Sequence, residues 1–179
     1  MVEKSISLIF CRVIVNYFCL RILATKPQLK TMETKIKYSK KACACAVSLD
    51  LLGDRWTLII IRDLFNGKCT FSEFLNDSSE GIATNILTDR LKKLLYLNII
   101  DFRRKASDRK VKEYYLTNKG IDLYPVIFEL QTWSLKHVEF EQSERTQRFV
   151  RLNKNASGEK VMSIYIDDYK NRRLKKFGF

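Results

Sequence analysis

A chain of 179 residues is one domain with extensions, or two very small domains. With 46% hydrophobic residues and only 6 Gly and 2 Pro, it has enough apolar matter for a core and is neither collagen-like nor low-complexity. A net charge of +13 points to a polyanionic partner, and the single histidine, His137, excludes a multi-histidine metal site.

Residues 1–41 carry 9 basic and 2 acidic side chains. Within them Ile6 to Ala24 is apolar apart from Ser7, Arg12, Asn16 and Arg21, close to the ~20 residues of a membrane span. The two arginines oppose insertion, no small-x-small cleavage site follows, and the polar residues do not share a helical face. Residues 1–31 are therefore expected to be an N-terminal extension outside the domain, upstream of Met32, with a membrane anchor as the alternative.

From residue 42 onward the pattern is that of a folded domain, with 14 bases against 13 acids over residues 42–140. Val47, Leu49, Leu51 and Leu52 predict a short helix, and Gly53 suits a left-handed position at its end. Trp56 to Phe65 predicts a second, very apolar helix, and Asn66-Gly67-Lys68 a turn. Thr70-Phe71-Ser72-Glu73 has capping-box spacing and predicts a third helix to about Asp77. A fourth helix is expected from Thr84 to Asn98, with Leu87, Leu91, Leu94 and Asn98 as its inward stripe. Strands are expected at 99–104 and 112–116, joined by a charged link. Thr117 predicts the start of a long final helix that buries Leu123, Ile127, Leu130 and Trp133, bent at Pro125. Residues 141–179, with 10 bases and 5 acids, form a basic C-terminal extension.

Helix–turn–helix, hairpin, helix is the order of a winged helix–turn–helix, a mainly α fold with a small β-hairpin. In that arrangement the second helix of the pair enters the major groove and the hairpin straddles phosphates. The segment from Asp101 to Lys112 carries six bases and two acids, a local excess where a phosphate contact is expected. Thr84, Asn85, Thr88, Asp89 and Lys92 are the candidate recognition-helix residues, Asn85 suited to adenine and Lys92 to phosphate. Arg103, Arg104, Lys105, Arg109 and Lys110 are the candidate wing contacts. Arg90 either meets DNA or pairs with a core carboxylate such as Asp63; Trp56 and Trp133 are expected as core or interface anchors.

Five cysteines (Cys11, Cys19, Cys43, Cys45, Cys69) at irregular spacing make a poor disulfide framework and point to a reducing compartment. Cys43-x-Cys45 lacks a second ligand pair, and no Gly-rich phosphate loop or nucleophile–base pair stands out. Neither an enzyme nor a metal or other cofactor is expected.

The residues resemble the HxlR-type bacterial transcriptional regulators. The resemblance runs from Cys43 through Leu49-Asp50-Leu51-Leu52-Gly53, Trp56-Thr57-Leu58-Ile59, Arg62-Asp63-Leu64, Phe71-Ser72-Glu73-Phe74 and Gly81-Ile82. It continues through Leu87-Thr88-Asp89-Arg90-Leu91, Tyr115-Leu116-Thr117, Gly120, Pro125-Val126 and Trp133, covering about residues 43–137. It implies a MarR-related fold over residues 42–137, a cytoplasmic location, and a homodimer that binds an inverted-repeat site in double-stranded DNA. Some members of that family respond to electrophiles or oxidants through the cysteine matched by Cys43, which makes it the candidate redox sensor, with a small molecule or electrophile as inducer. Lys40 and Lys41 beside it favour the thiolate; the alternative is a small buried apolar residue. The sequence departs from the family at Ala44, where Pro is usual, and at Ala83, where Ser is. Ser79 or Thr84 is expected to replace the missing cap oxygen. A non-specific nucleic-acid binder and a membrane-tethered regulator remain as alternatives.

Overall fold

The computed structural model describes residues 42–179; Cys11, Cys19, Met32, Lys40 and Lys41, and the whole of the 1–31 extension, lie outside the described residues. In chain order these residues form α1 (Ala44–Leu52), α2 (Arg55–Phe65), α3 (Phe71–Asn76), α4 (Thr84–Tyr96), β1 (Ile100–Arg104) and β2 (Lys112–Leu116). Then follow α5 (Asn118–Ile121), α6 (Tyr124–His137), α7 (Glu144–Asn155) and α8 (Gly158–Phe177). Among them no helix is long and apolar enough to cross a membrane.

α2 is the central helix. Ile60, Ile61, Leu64 and Phe65 are buried along it, against Phe74 of α3 and Leu87, Leu91 and Leu94 of α4. The Thr70 capping box is formed: its hydroxyl accepts from the Glu73 amide and the Glu73 carboxylate accepts from the Thr70 amide. β1 and β2 pair antiparallel, Ile100 opposite Leu116 and Arg104 opposite Lys112. A further bridge, Thr70 to Glu113, lays the segment before α3 along the other edge of β2. Local sequence gives no sign of that bridge, because its partners are remote in the chain.

Four expectations are corrected. Gly53 ends α1 with φ −72°, not left-handed; glycine is needed because a Cβ there would run into the Leu49 carbonyl. Asn98 is not part of the α4 stripe: it lies past the helix, exposed, at φ 54°. There its amide bonds Leu95 and the Ile99 amide bonds Leu94, a Schellman end that points Ile99 into the core. Thr117 caps only the short α5, and Pro125 falls in the first turn of α6, where its missing N–H leaves no helical bond unmade. Leu130 and Trp133, expected inside, are 49% and 59% exposed; α6 buries Ile127 as expected, together with Tyr124 and Phe128.

The last two helices account for that rotation of α6. Phe128 packs on Phe149 of α7, with centroids 5.4 Å apart, and Tyr124 stacks on Tyr165 of α8 at 5.3 Å. Phe149, Val161 and Tyr169 are buried together with the apolar residues of α2, so α7 and α8 share one core with the helices before them. Ser143 and Ser157 cap the two helices through their hydroxyls.

Candidate nucleic-acid interface

The buried side of α4 fixes what its opposite side presents. With Leu87, Leu91 and Leu94 inside, the successive turns put Thr84, Asn85, Asp89 and Lys92 in solvent, with Thr88 half-exposed between them. The Thr88 hydroxyl donates to the Thr84 carbonyl at 2.8 Å. Ala83 occupies the cap position and supplies no side-chain acceptor, and neither Ser79 nor Thr84 takes its place. The first turn holds no acidic residue either. An uncapped, acid-free N-terminus carries the positive end of the helix dipole into solvent, which suits a phosphate oxygen.

α4 is locked to α2 through Asp54. Asp54 caps α2 by accepting from the Thr57 amide at 2.9 Å, and accepts from the Thr57 hydroxyl as well. The same carboxylate pairs with Arg90 at 2.8 Å and with Lys93 at 3.2 Å. Burial pushes the Asp54 carboxyl up, but Thr57, Lys93 and Arg90 together hold it below the ordinary carboxylate value. Arg90 therefore pairs with Asp54 rather than with Asp63. Asp63 is taken by Arg62 at 2.7 Å and Lys68 at 2.8 Å, both nearer to it in the chain. Arg62 also clasps Glu80 at 2.5 and 2.9 Å, fixing the loop before α4 and holding the Glu80 carboxyl at about 2.

The wing residues divide into two groups. Lys105, Arg109 and Lys110 are exposed at the tip. Asp108 shapes that tip, its carboxylate accepting from the Lys110 amide at 2.9 Å, and the Arg104 guanidinium donates to the Arg109 carbonyl at 2.7 Å. Arg103 is turned the other way: it donates to the Lys176 and Phe177 carbonyls at the end of α8 and lies 4.8 Å over the Phe177 ring. Lys112 sits 4.3 Å over the Phe102 ring.

Two further features belong to α6 and to α1. Val126, Leu130 and Trp133 form an exposed apolar row on α6, beside an open groove of about 270 Å³ lined by Leu58, Ile59, Ile127 and Phe140. Trp56, by contrast, is half-buried against the core. Cys43 is exposed at the N-cap of α1. The Ala46 amide, then that of Cys45, lowers its thiol below the ordinary value. Cys45 is exposed, while Cys69 is buried and its thiol pushed up by burial. Among the described residues no cluster of His, Cys, Asp or Glu could hold a metal ion.

Residues 51–142 match the family described as HxlR-like helix-turn-helix, a match that stops just before α7. An uncharacterized HTH-type transcriptional regulator of Mycobacterium tuberculosis is 37% identical over 86 residues, 48% of this chain and 53% of that protein. The HTH-type transcriptional regulator YodB of Bacillus subtilis is 35% identical over 88 residues, 49% of this chain and 77% of YodB. Among solved structures, PA1607, named as a candidate transcription factor, aligns with a TM-score of 0.52 at 30% identity, over 59% of this chain and 72% of its own. The chain thus spans about half the length of the mycobacterial relative. The fold is a winged helix–turn–helix like that of PA1607, with α3 and α4 as the helix pair and β1–β2 as the wing.

Proposed function

The chain belongs to the HxlR-like helix-turn-helix family, and on that premise we propose that it is a transcriptional regulator binding double-stranded DNA as a homodimer. One observation carries this reading. The outward face of α4 (Thr84, Asn85, Thr88, Asp89, Lys92) is polar and uncapped, and the wing that follows ends in Lys105, Arg109 and Lys110, none paired with an acid among the described residues. Asn85 reads a base edge, while Lys92, Arg104 and the tip cations hold phosphates. The Val126–Leu130–Trp133 row supports self-association, since apolar rows this exposed are covered in stable assemblies. A symmetric dimer asks for an inverted repeat with half-site centres about one helical turn (~34 Å) apart, or a multiple of it. Cys43 is the proposed thiol sensor, and an electrophile the proposed inducer.

The test is selection of a site from a random duplex library, then titration over several salt concentrations on selected and scrambled duplexes. Asn85→Ala is expected to cost about 1–3 kcal/mol on the selected site and little on scrambled DNA. Arg104→Ala and Lys105→Ala are expected to weaken both and to lower the salt slope by roughly one for each phosphate no longer neutralised. If the chain does not distinguish selected from scrambled duplex, the sequence-specific reading gives way to non-specific binding.

A further inference from the structure

We propose that the end of α8, residues 172–179, is a positioning element for the wing, and that Arg103 belongs to this brace instead of the phosphate-binding set. The proposal rests on the DNA-binding reading only for its functional consequence. A two-stranded hairpin is marginal by itself, so its direction is set by what it packs against. Here α8 meets β2 almost residue by residue. Lys176 pairs with Glu113 at 3.0 Å, a carboxylate that burial would otherwise leave uncompensated. Tyr115 forms a three-ring cluster with Phe177 and Phe179, its centroid 4.8 and 5.1 Å from theirs and theirs 6.2 Å apart. The Leu116 amide donates to the Tyr169 hydroxyl at 2.7 Å, and the Leu116 carbonyl accepts from Arg173 at 2.9 Å.

α8 reaches β1 through Arg103. The Arg103 guanidinium closes on the last carbonyls of α8, where the helix dipole is negative, with Phe177 beneath it. That geometry turns both terminal nitrogens of the guanidinium toward α8 and away from the tip, one bond from each. The tip cations lie farther along the hairpin and stay in solvent, so the brace decides their placement without competing for them. The match to the family ends at residue 142, and residues 172–179 lie wholly beyond it.

A double-mutant comparison in the full chain separates positioning from mere stability. The probes are a 30-base-pair duplex bearing the site selected by the unaltered chain and a random duplex. In the unaltered chain, Arg104→Ala with Lys105→Ala is expected to weaken binding at ~0.1 M salt by at least tenfold. With Phe177→Ala and Phe179→Ala present, the same wing pair is expected to cost less than about twofold, since an unplaced tip has already lost its phosphates. Equal costs in both backgrounds overturn the proposal. Phe177→Tyr with Phe179→Tyr keeps the ring packing and is expected to restore the full wing effect. Independently of DNA, amide exchange over residues 100–116 should quicken in the Phe177→Ala/Phe179→Ala chain and in the Arg103→Ala chain, with α2 and α4 unchanged; unaltered exchange also overturns it. If the unaltered chain binds neither duplex, the DNA-binding reading has failed and the exchange measurement alone judges the brace.

Discussion

Replacing Asp54 probes the joint that holds the recognition helix. Asp54→Ala removes three things: the cap of α2, the acceptor of the Thr57 hydroxyl, and the anion between Arg90 and Lys93. The cap is worth about 1 kcal/mol. Thr57 is fully buried, so its hydroxyl loses an acceptor at a cost of about 1 kcal/mol or more. The ion pairs are 26–30% exposed on both sides, and solvent screening limits them to about 0.5 kcal/mol each. Asp54→Ala should therefore lower stability by about 3 kcal/mol, and Asp54→Asn, which keeps an acceptor for the Thr57 amide but not a second one for its hydroxyl, by about 2 kcal/mol. Urea unfolding at fixed protein concentration measures both. The Asn deficit should shrink in 0.5 M salt, while the extra deficit of Ala should persist. Because the Asp54 carboxyl is lowered in the fold, its contribution is complete above the unfolded carboxylate value and fades as pH falls through the lowered one. Equal losses for Ala and Asn, or a loss below about 1 kcal/mol for Ala, would refute this account of the joint.

Cys43→Ser should bind DNA as the unaltered chain does and lose any response to diamide; a retained response removes Cys43 as the sensor. In the unaltered chain, iodoacetamide should modify Cys43 with a midpoint below the ordinary thiol value and spare buried Cys69, as peptide mapping would report. Glu80→Gln should cost about 1 kcal/mol near neutral pH, after allowance for the partial exposure of the pair. With the Glu80 carboxyl at about 2 in the fold, that deficit is constant above the unfolded value and disappears as pH falls toward 2. A deficit that survives at pH 2 in thermal unfolding would place the effect elsewhere.

The legible parts of this fold are those decided within a few residues. The Thr70 capping box, the leucine stripe of α4 and the paired strands each depend on neighbours three or four positions away, or on alternation. Sequence placed the candidate DNA face for the same reason: if Leu87, Leu91 and Leu94 point inward, Asn85 and Lys92 must point out. What was not legible depends on remote partners. Arg90 had two carboxylates to choose between, and only the crossing of α2 and α4 selects Asp54. Trp133 has the spacing of a core residue; the core side of α6 is chosen by Phe149 and Tyr165, far down the chain. Arg103 carries the same charge as its wing neighbours, and nothing within ten residues shows that it is spent on Lys176 and Phe177.

The bond from the Arg172 guanidinium to the Phe65 carbonyl, at 2.5 Å, joins residues 107 apart. Bonds of such separation form late, because the intervening loop must be closed before they stabilise anything. During synthesis, which delivers roughly 5–20 residues per second, α2 to the wing can collapse while α8 is still being made. The nascent domain then shows the apolar sides of Phe65, Tyr124 and Phe128 to solvent until Tyr169 and its neighbours arrive. A chain stopped before α8 would lack the Tyr165 and Tyr169 rings that cover Tyr124 and Phe65. The arrival of α8 thus closes the interval in which these rings could join another chain.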